Sequence, residues 1–243
     1  MIKAIVTGHS RGLGSALART LLARGAGVLG LSRASEAALA AAHPQTLQEV
    51  TLDLADSRAL AEWLATGALA RFTAGATQVL LINNAGLVQP IGPLGRQPGG
   101  AIAHAVALNV SAPLVLADAL VAATAACGDR RIVHISSGAA RNPYAGWSVY
   151  CATKAALDMH ARAVQLDAVP GLRVASLAPG VIDTDMQVQI RASADSDFPL
   201  RERFEALKRD GQLASADDVA QRLVAHALSD AFGADPTPDL RNL

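Results

Sequence analysis

Short apolar runs recur along the chain, separated by amphipathic or alanine-rich stretches. Ile2-Lys3-Ala4-Ile5-Val6-Thr7 reads as a strand, being mostly β-branched or apolar. Leu13, Leu17 and Leu21 follow, four apart, as one face of a helix. Gly27-Val28-Leu29-Gly30-Leu31 reads as a second strand that ends at Ser32-Arg33, and alanine-rich residues 34–42 as a helix ending near Pro44. The pattern then predicts a strand over 50–54 and a helix over 57–72, with Ser57 as its cap. Gln78-Val79-Leu80-Leu81-Ile82 is continuously apolar, as a strand buried on both faces would be. Residues 87–100, with three prolines and four glycines, form a surface loop before a long helix around Asn109. A strand over 131–135, a helix carrying Tyr150 to about Val169, a strand over 172–177 and a helix over 216–228 complete the series. Residues 234–243 hold Pro236 and Pro238 and make a doubtful seventh strand.

Strands and helices alternate, so the expected fold is α/β with a parallel, doubly wound sheet. No linker or repeat divides residues 1–243, which read as a single domain. The polar stretch over about 183–213 lacks a strand pattern and is expected to cover a substrate.

Composition narrows the class. Lysine plus arginine and aspartate plus glutamate number 21 each, and no basic stripe points to nucleic acid. Cys127 and Cys151 make neither a disulfide framework nor a metal-ligand spacing, which fits reduced thiols in a cytoplasmic protein. A strand beginning at Ile2 leaves no room for a signal peptide. Residues 101–127 carry one charge, Asp118, but His104, Asn109 and Pro113 interrupt them, so they read as a helix packed on a sheet rather than a membrane span. His9, His43, His104 and His160 show no ligand spacing, and no metal is expected.

The chemistry sits where strands end, which is where ligands bind in such sheets. Gly8-His9-Ser10-Arg11-Gly12-Leu13-Gly14 lies between a strand and a helix. Glycines there permit a sharp turn and close approach of a pyrophosphate, and the helix start offers free N–H groups. A carboxylate about twenty residues further on would grip a ribose 2′-hydroxyl, but this chain has Ser32, Arg33 and Ala34, with no acid until Glu36. Arg33 and Arg11 suit a 2′-phosphate instead. Tyr150 and Lys154 are four apart on one helix face, and a nearby cation is expected to lower the phenol pKa toward neutrality.

Taken together, Thr7-Gly8-x-x-x-Gly12-x-Gly14, Asn83-Asn84-Ala85-Gly86, Asn109, Ser137, Tyr150-x-x-x-Lys154 and Pro179-Gly180-x-x-x-Thr184 resemble the short-chain dehydrogenase/reductase family over nearly the whole chain. Gly146-Trp147-x-x-Tyr150-Cys151-Ala152-x-Lys154 and Asp183-Thr184-Asp185-Met186-Gln187 are similar to its sepiapterin reductases, and Pro90-Ile91-Gly92-Pro93 to its bacterial benzil (diketone) reductases. The resemblance implies a Rossmann-like sheet of order 3-2-1-4-5-6, NADP(H), a small carbonyl substrate, and a homodimer or homotetramer. By the same resemblance Tyr150 is the general acid, Lys154 holds the nicotinamide ribose, Ser137 donates to the substrate oxygen, and Asn109 holds a water in a proton relay. Gly8, Ser10, Arg11, Gly12, Leu13, Gly14 and Arg33 would hold the phosphates, and Asp53 and Leu54 would flank the adenine. Asn83, Ala85 and Gly86 would line the adenosine side. Pro179, Gly180, Ile182 and Thr184 belong to the carboxamide end, and Trp147 faces the substrate. Asp239 is the nearest match to a ring-anchoring aspartate.

Each residue also has a plainer reading. Arg33 as a solvated loop residue, Asn109 as a helix asparagine bonded to backbone, and Trp147 as packing all stay open. His134, where many relatives have asparagine, reads as a core histidine, and Cys151 as a small buried neighbour rather than a nucleophile. Two other activities stay open as well: a nucleotide sensor without turnover, and an isomerase or dehydratase on the same scaffold.

Overall fold

The structure, a computed structural model, describes residues Met1 to Leu243. Six parallel strands form one sheet in the order β3-β2-β1-β4-β5-β6, as the motifs implied. They are β1 (Ile2–Thr7), β2 (Gly27–Ser32), β3 (Leu47–Thr51), β4 (Gln78–Asn83), β5 (Arg130–Ile135) and β6 (Leu172–Leu177). Side chains alternate between the faces, as the two-residue strand period requires. Ala4, Val6, Leu80, Ile82 and Val133 join a core under α1 (Gly12–Ala23) and α10 (Ala216–Leu228). Ile5, Val79, Leu81 and Ile132 join the opposite core. That second core lies under α3 (Ser57–Ala65), α4 (Ala68–Thr73), α6 (Ala112–Ala123) and α7 (Ser148–Leu166), with α2 (Ala37–Ala42) and α5 (Gly99–Val106) completing the earlier helices.

Several boundaries differ from the sequence pattern for local reasons. β3 covers Leu47–Thr51 rather than 50–54. As an edge strand it tolerates Gln48 and Glu49, while Asp53 turns the chain by accepting from the Ala55 N–H at 2.9 Å. The cap of α3 is Asp56, not Ser57, and it accepts from the N–H groups of Arg58 and Ala59 at 3.0 Å each. Gly67, at φ 72°, separates α3 from α4 where one helix was expected. α7 stops at Leu166, and Ala168 takes a left-handed φ of 50° before Pro170.

The long apolar helix spans Gly99–Ala123, 25 residues containing an 18-residue window of mean hydropathy 1.9, enough by length and composition to cross a membrane. Here one face packs on the sheet through Leu116, Ala117 and Leu120, while Val106 and Val115 are exposed. It is not uniform. Residues Ala107–Ser111 form a π-helical turn containing Asn109. Pro113 explains it: without an N–H it cannot donate to the carbonyl four residues back, that of Asn109.

The C-terminal segment forms no seventh strand, only a bridge between Ala178 and Asp239 and a short turn at Leu240–Asn242. Ser176 N–H donates to the Pro236 carbonyl (2.8 Å), Ala178 N–H to that of Pro238 (3.0 Å), and Leu240 N–H to that of Ala178 (2.9 Å). Prolines can accept these bonds but cannot return them.

Candidate active site

One cavity of about 690 Å³ opens along the C-terminal ends of the strands. Its floor at one end is the glycine loop. Gly8 and Gly12 have φ of 67° and 53°, which side chains rarely adopt. Gly14 is obligatory for space, since a Cβ there would lie 2.0 Å from the Gly8 carbonyl oxygen. No side chain caps the start of α1. Its first N–H groups therefore face the cavity edge formed by Gly12, Leu13 and Gly14. Thr7 ties this loop to the next: its hydroxyl accepts from the N–H groups of Asn84 and Ala85, both at 2.9 Å.

Arg33, exposed and without an ion pair, lines the cavity beside Ser32 and Ala34. Arg11 lines it too and meets Asp185 at 3.2 Å. No carboxylate from the β2 end reaches this wall. Glu36 instead accepts from the Ser15 hydroxyl at 3.0 Å and lies 3.7 Å from Arg19. Arg33 and Arg11 could therefore hold a 2′-phosphate, and no acid from the end of β2 is placed to grip a bare 2′-hydroxyl.

At the other end β5 delivers Ser136 and Ser137. Ser136 donates to Asp158 at 2.6 Å, and Arg141 donates to the same carboxylate at 3.0 Å. Ser137 lines the cavity with Tyr150 and Lys154. Lys154 is buried and donates to the Ile135 carbonyl at 2.8 Å. Its ammonium sits 5.7 Å from the centroid of the Tyr150 ring. Burial lowers the Lys154 pKa to about 8, against the charge of Asp158. The expected lowering of the Tyr150 pKa is not found. Burial pushes it up to about 12, and the Ser137 hydroxyl only partly offsets that. The phenol is thus held protonated at neutral pH.

Most of the residues singled out from the sequence come together. Gly8, Ser10, Arg11, Gly12, Leu13, Gly14, Arg33, Asp53, Leu54, Ala85, Gly86, Ser137, Trp147, Tyr150, Lys154, Pro179, Gly180, Ile182 and Thr184 all line the cavity. Asn83 does not, and Asn84 takes its place. The side chain of Asn83 turns into the core, where its amide donates to the Pro113 carbonyl (3.3 Å) and to His134 (3.1 Å). Asn109 also lies behind the wall. It accepts from the Leu87 N–H at 2.9 Å and donates to the Leu87 carbonyl at 2.8 Å and to Thr153 at 3.2 Å. Even so, a Cβ on Gly86 would come within 3.3 Å of the Asn109 amide oxygen and 3.5 Å of the Lys154 ammonium, so the two polar groups are neighbours. Asp239 is held by Arg241 (2.6 and 2.9 Å), and only Arg241 lines the cavity.

The residues over 183–213 fold into α8 (Asp185–Arg191) and α9 (Arg201–Arg209) and roof this end. Trp147 stacks on Phe198 at 4.5 Å and 13°, and Phe204 packs against it at 5.3 Å. Phe204 lines the cavity with Met186, Gln187, Tyr144 and Leu207. Phe204 belongs to none of the sequence motifs. Its signal was an apolar pair, Phe204 and Leu207, on an otherwise charged helix. Asp197 closes the roof onto Gly146, whose φ of 82° brings it so near that a Cβ would sit 2.1 Å from the Asp197 carbonyl oxygen.

Known proteins resemble this chain in sequence and in fold. A family model described as short chain dehydrogenase matches residues 3–195. A benzil reductase ((S)-benzoin forming) of Bacillus cereus is 35% identical over 226 residues, covering 90% of this chain and 91% of the relative. A sepiapterin reductase of Meriones unguiculatus is 33% identical over 242 residues, covering 94% and 92%. Among solved structures, a short-chain dehydrogenase/reductase from Burkholderia vietnamiensis is 52% identical, with a TM-score of 0.73 and coverage of 100% and 98%. A short chain dehydrogenase from Burkholderia cenocepacia in complex with NADP is 29% identical, with a TM-score of 0.77 and coverage of 97% and 94%. Matched over residues 3–195 by that family model and at 33–35% identity by two relatives over nine-tenths of its length, the chain belongs to the short-chain dehydrogenases/reductases, a family of oxidoreductases.

Proposed function

We propose that the protein is an NADPH-dependent reductase of a ketone or vicinal dicarbonyl, of the benzil or sepiapterin kind. The observation that carries this is a buried, protonated Tyr150 beside Ser137 and Lys154, in the same cavity as an unpaired Arg33. The nicotinamide supplies a hydride to the carbonyl carbon when bound. The chain does the rest. Tyr150 gives its Oη proton to the carbonyl oxygen as negative charge develops there, and Ser137 donates a second hydrogen bond to that oxygen. Lys154 offsets the phenolate that Tyr150 would become, and its ammonium would hold the nicotinamide ribose hydroxyls. Asn109, fixed by Leu87 beside Lys154, holds the water that returns a proton to Tyr150. Arg33 and Arg11 receive the 2′-phosphate.

The substrate end is aromatic and mostly apolar, with Trp147, Tyr144, Phe204 and Met186 around the Tyr150 phenol. Such walls favour a flat substrate with a ring beside the reacting carbonyl. A second copy would cover the exposed Val106, Val115 and Met159, giving a homodimer or homotetramer. The test is NADPH oxidation against benzil, sepiapterin and simple aliphatic ketones. Turnover of the first two at higher kcat/KM supports the reading. Equal rates on aliphatic ketones overturn the substrate class, and NADPH binding without consumption overturns the activity.

A further inference from the structure

His9 belongs to the glycine loop, yet its side chain is fully buried and turned away from the cavity. Its ring lies over Gly30 in the middle of β2. A Cβ on Gly30 would come 2.4 Å from the His9 ring, so the glycine, otherwise unfavourable inside a strand, is what admits the imidazole. Glu49 on β3 is the register partner of Gly30. Its Oε1 meets His9 Nε2 at 2.7 Å and accepts from the Glu36 N–H at 2.7 Å. One carboxylate oxygen thus joins the glycine loop to the turn after β2. That turn carries Arg33 on the cavity wall, while Glu36 at its end points back toward Ser15 and Arg19.

We propose that the His9–Glu49 pair, in which the histidine is fully buried, sets the preference for a 2′-phosphorylated nucleotide, holding the turn so that Arg33 faces the cavity and Glu36 does not. Neither residue touches the nucleotide; both are positioning residues. Without the pair, the Glu36 N–H loses its acceptor and the turn loosens. Arg33 is then less well placed, and the Glu36 carboxylate is free to reach the ribose, where it repels a phosphate and accepts from a hydroxyl. The N–H groups at Gly12, Leu13 and Gly14 that would hold the pyrophosphate take no bond from the pair. The effect therefore falls on the 2′ substituent and not on the nucleotide as a whole. This rests on the NADPH reading above.

The test compares 2′,5′-ADP with 5′-ADP by titration calorimetry on the full chain, with thermal melting as a check of folding. Wild type should bind 2′,5′-ADP at least about tenfold more tightly. Glu49→Ala should lose about tenfold in affinity for 2′,5′-ADP and change less than about threefold for 5′-ADP. Glu49→Gln keeps an oxygen acceptor for both partners and should stay within about threefold of wild type for each probe. His9→Ala, which leaves Glu49 in place, should show the same selective loss as Glu49→Ala in milder form. Equal weakening of both probes, or no change in either, shows that the pair only supports the fold and overturns the proposal. A wild type that binds both probes alike removes the NADPH reading and this inference together, so the two failures are distinguished by which protein fails.

Discussion

His134 should make the protein acid-sensitive by a measurable amount. It is fully buried on β5 and receives a hydrogen bond at Nδ1 from the Asn83 amide at 3.1 Å. Because that amide nitrogen can only donate, the proton of a neutral His134 sits on Nε2, where it points at His160 Nδ1, 3.1 Å away. Protonating His134 would set an N–H against the NH₂ of Asn83. Burial holds the His134 pKa down to about 3, and the charges of His160 and Lys154 act in the same direction. An unfolded histidine titrates near 6.5. Between these values the unfolded chain binds a proton that the folded chain refuses, so stability is full above about pH 6.5 and is lost as pH falls toward about 3. At about pH 5 the unfolded histidine is almost wholly protonated, and the loss from this one residue is about 2 kcal/mol. That figure depends on the unfolded pKa and hardly on the folded one. Urea unfolding of wild type and His134→Gln at about pH 8 and about pH 5 measures it. Glutamine can still accept from Asn83 and does not titrate. Its own cost appears at both pH values and cancels in the difference. His160 and His226, whose pKa values burial also lowers, are common to both proteins. Wild type should therefore lose about 2 kcal/mol more than the variant on acidification. Equal losses would refute the reasoning and mean that the folded protein accommodates a charged His134.

Tyr150→Phe should lower kcat by roughly 10² to 10⁴ while the NADPH dissociation constant, read by fluorescence titration, stays within about threefold. Retention of a tenth of the activity would move the acid role to another group. Arg33→Asp should cut kcat/KM for NADPH by more than about tenfold and that for NADH far less, since a lost charge-assisted bond alone is worth about tenfold. An unchanged ratio of the two cofactors would make Arg33 a solvated loop residue. Gly146→Ala should push Asp197 away and disturb the stack of Phe198 on Trp147. A cost of about 2 kcal/mol and a fall in Tm of roughly 5 °C follow from the left-handed φ and the clash. The KM for substrate should rise about tenfold with cofactor affinity little changed, and a rise in cofactor Kd of equal size would contradict the placing of this roof over the substrate end.

Every strand but β3 was legible as a short apolar run, and the strand order through the family resemblance carried by the glycine and serine motifs that follow those runs. β3 was displaced because an edge strand needs only one apolar face, so Leu47-Gln48-Glu49 hid in a polar stretch while the buried Leu52 and Leu54 imitated a strand. Of the proposed catalytic trio, Tyr150 and Lys154 were legible from residue type and spacing, and Ser137 through the family resemblance. Its electrostatics were not: a sequence shows that Lys154 is one turn from Tyr150 but not that both are buried, and burial decides the direction of both pKa shifts. Asn83 and Asn84 are adjacent and chemically identical. Only the alternation of the strand end settles which one faces the cavity and which meets His134.

The two prolines beside β6 bear on solubility. An open parallel sheet offers unpaired backbone groups along its margin, to which a stray strand from another molecule can add. Here that margin is occupied by a segment that accepts twice, through Pro236 and Pro238, and donates once, through Leu240. Between the prolines the Thr237 N–H is already taken by the Asp235 carboxylate at 2.8 Å. The strip therefore covers β6 without offering a continuous row of donors of its own, and growth of the sheet into a second molecule stops there.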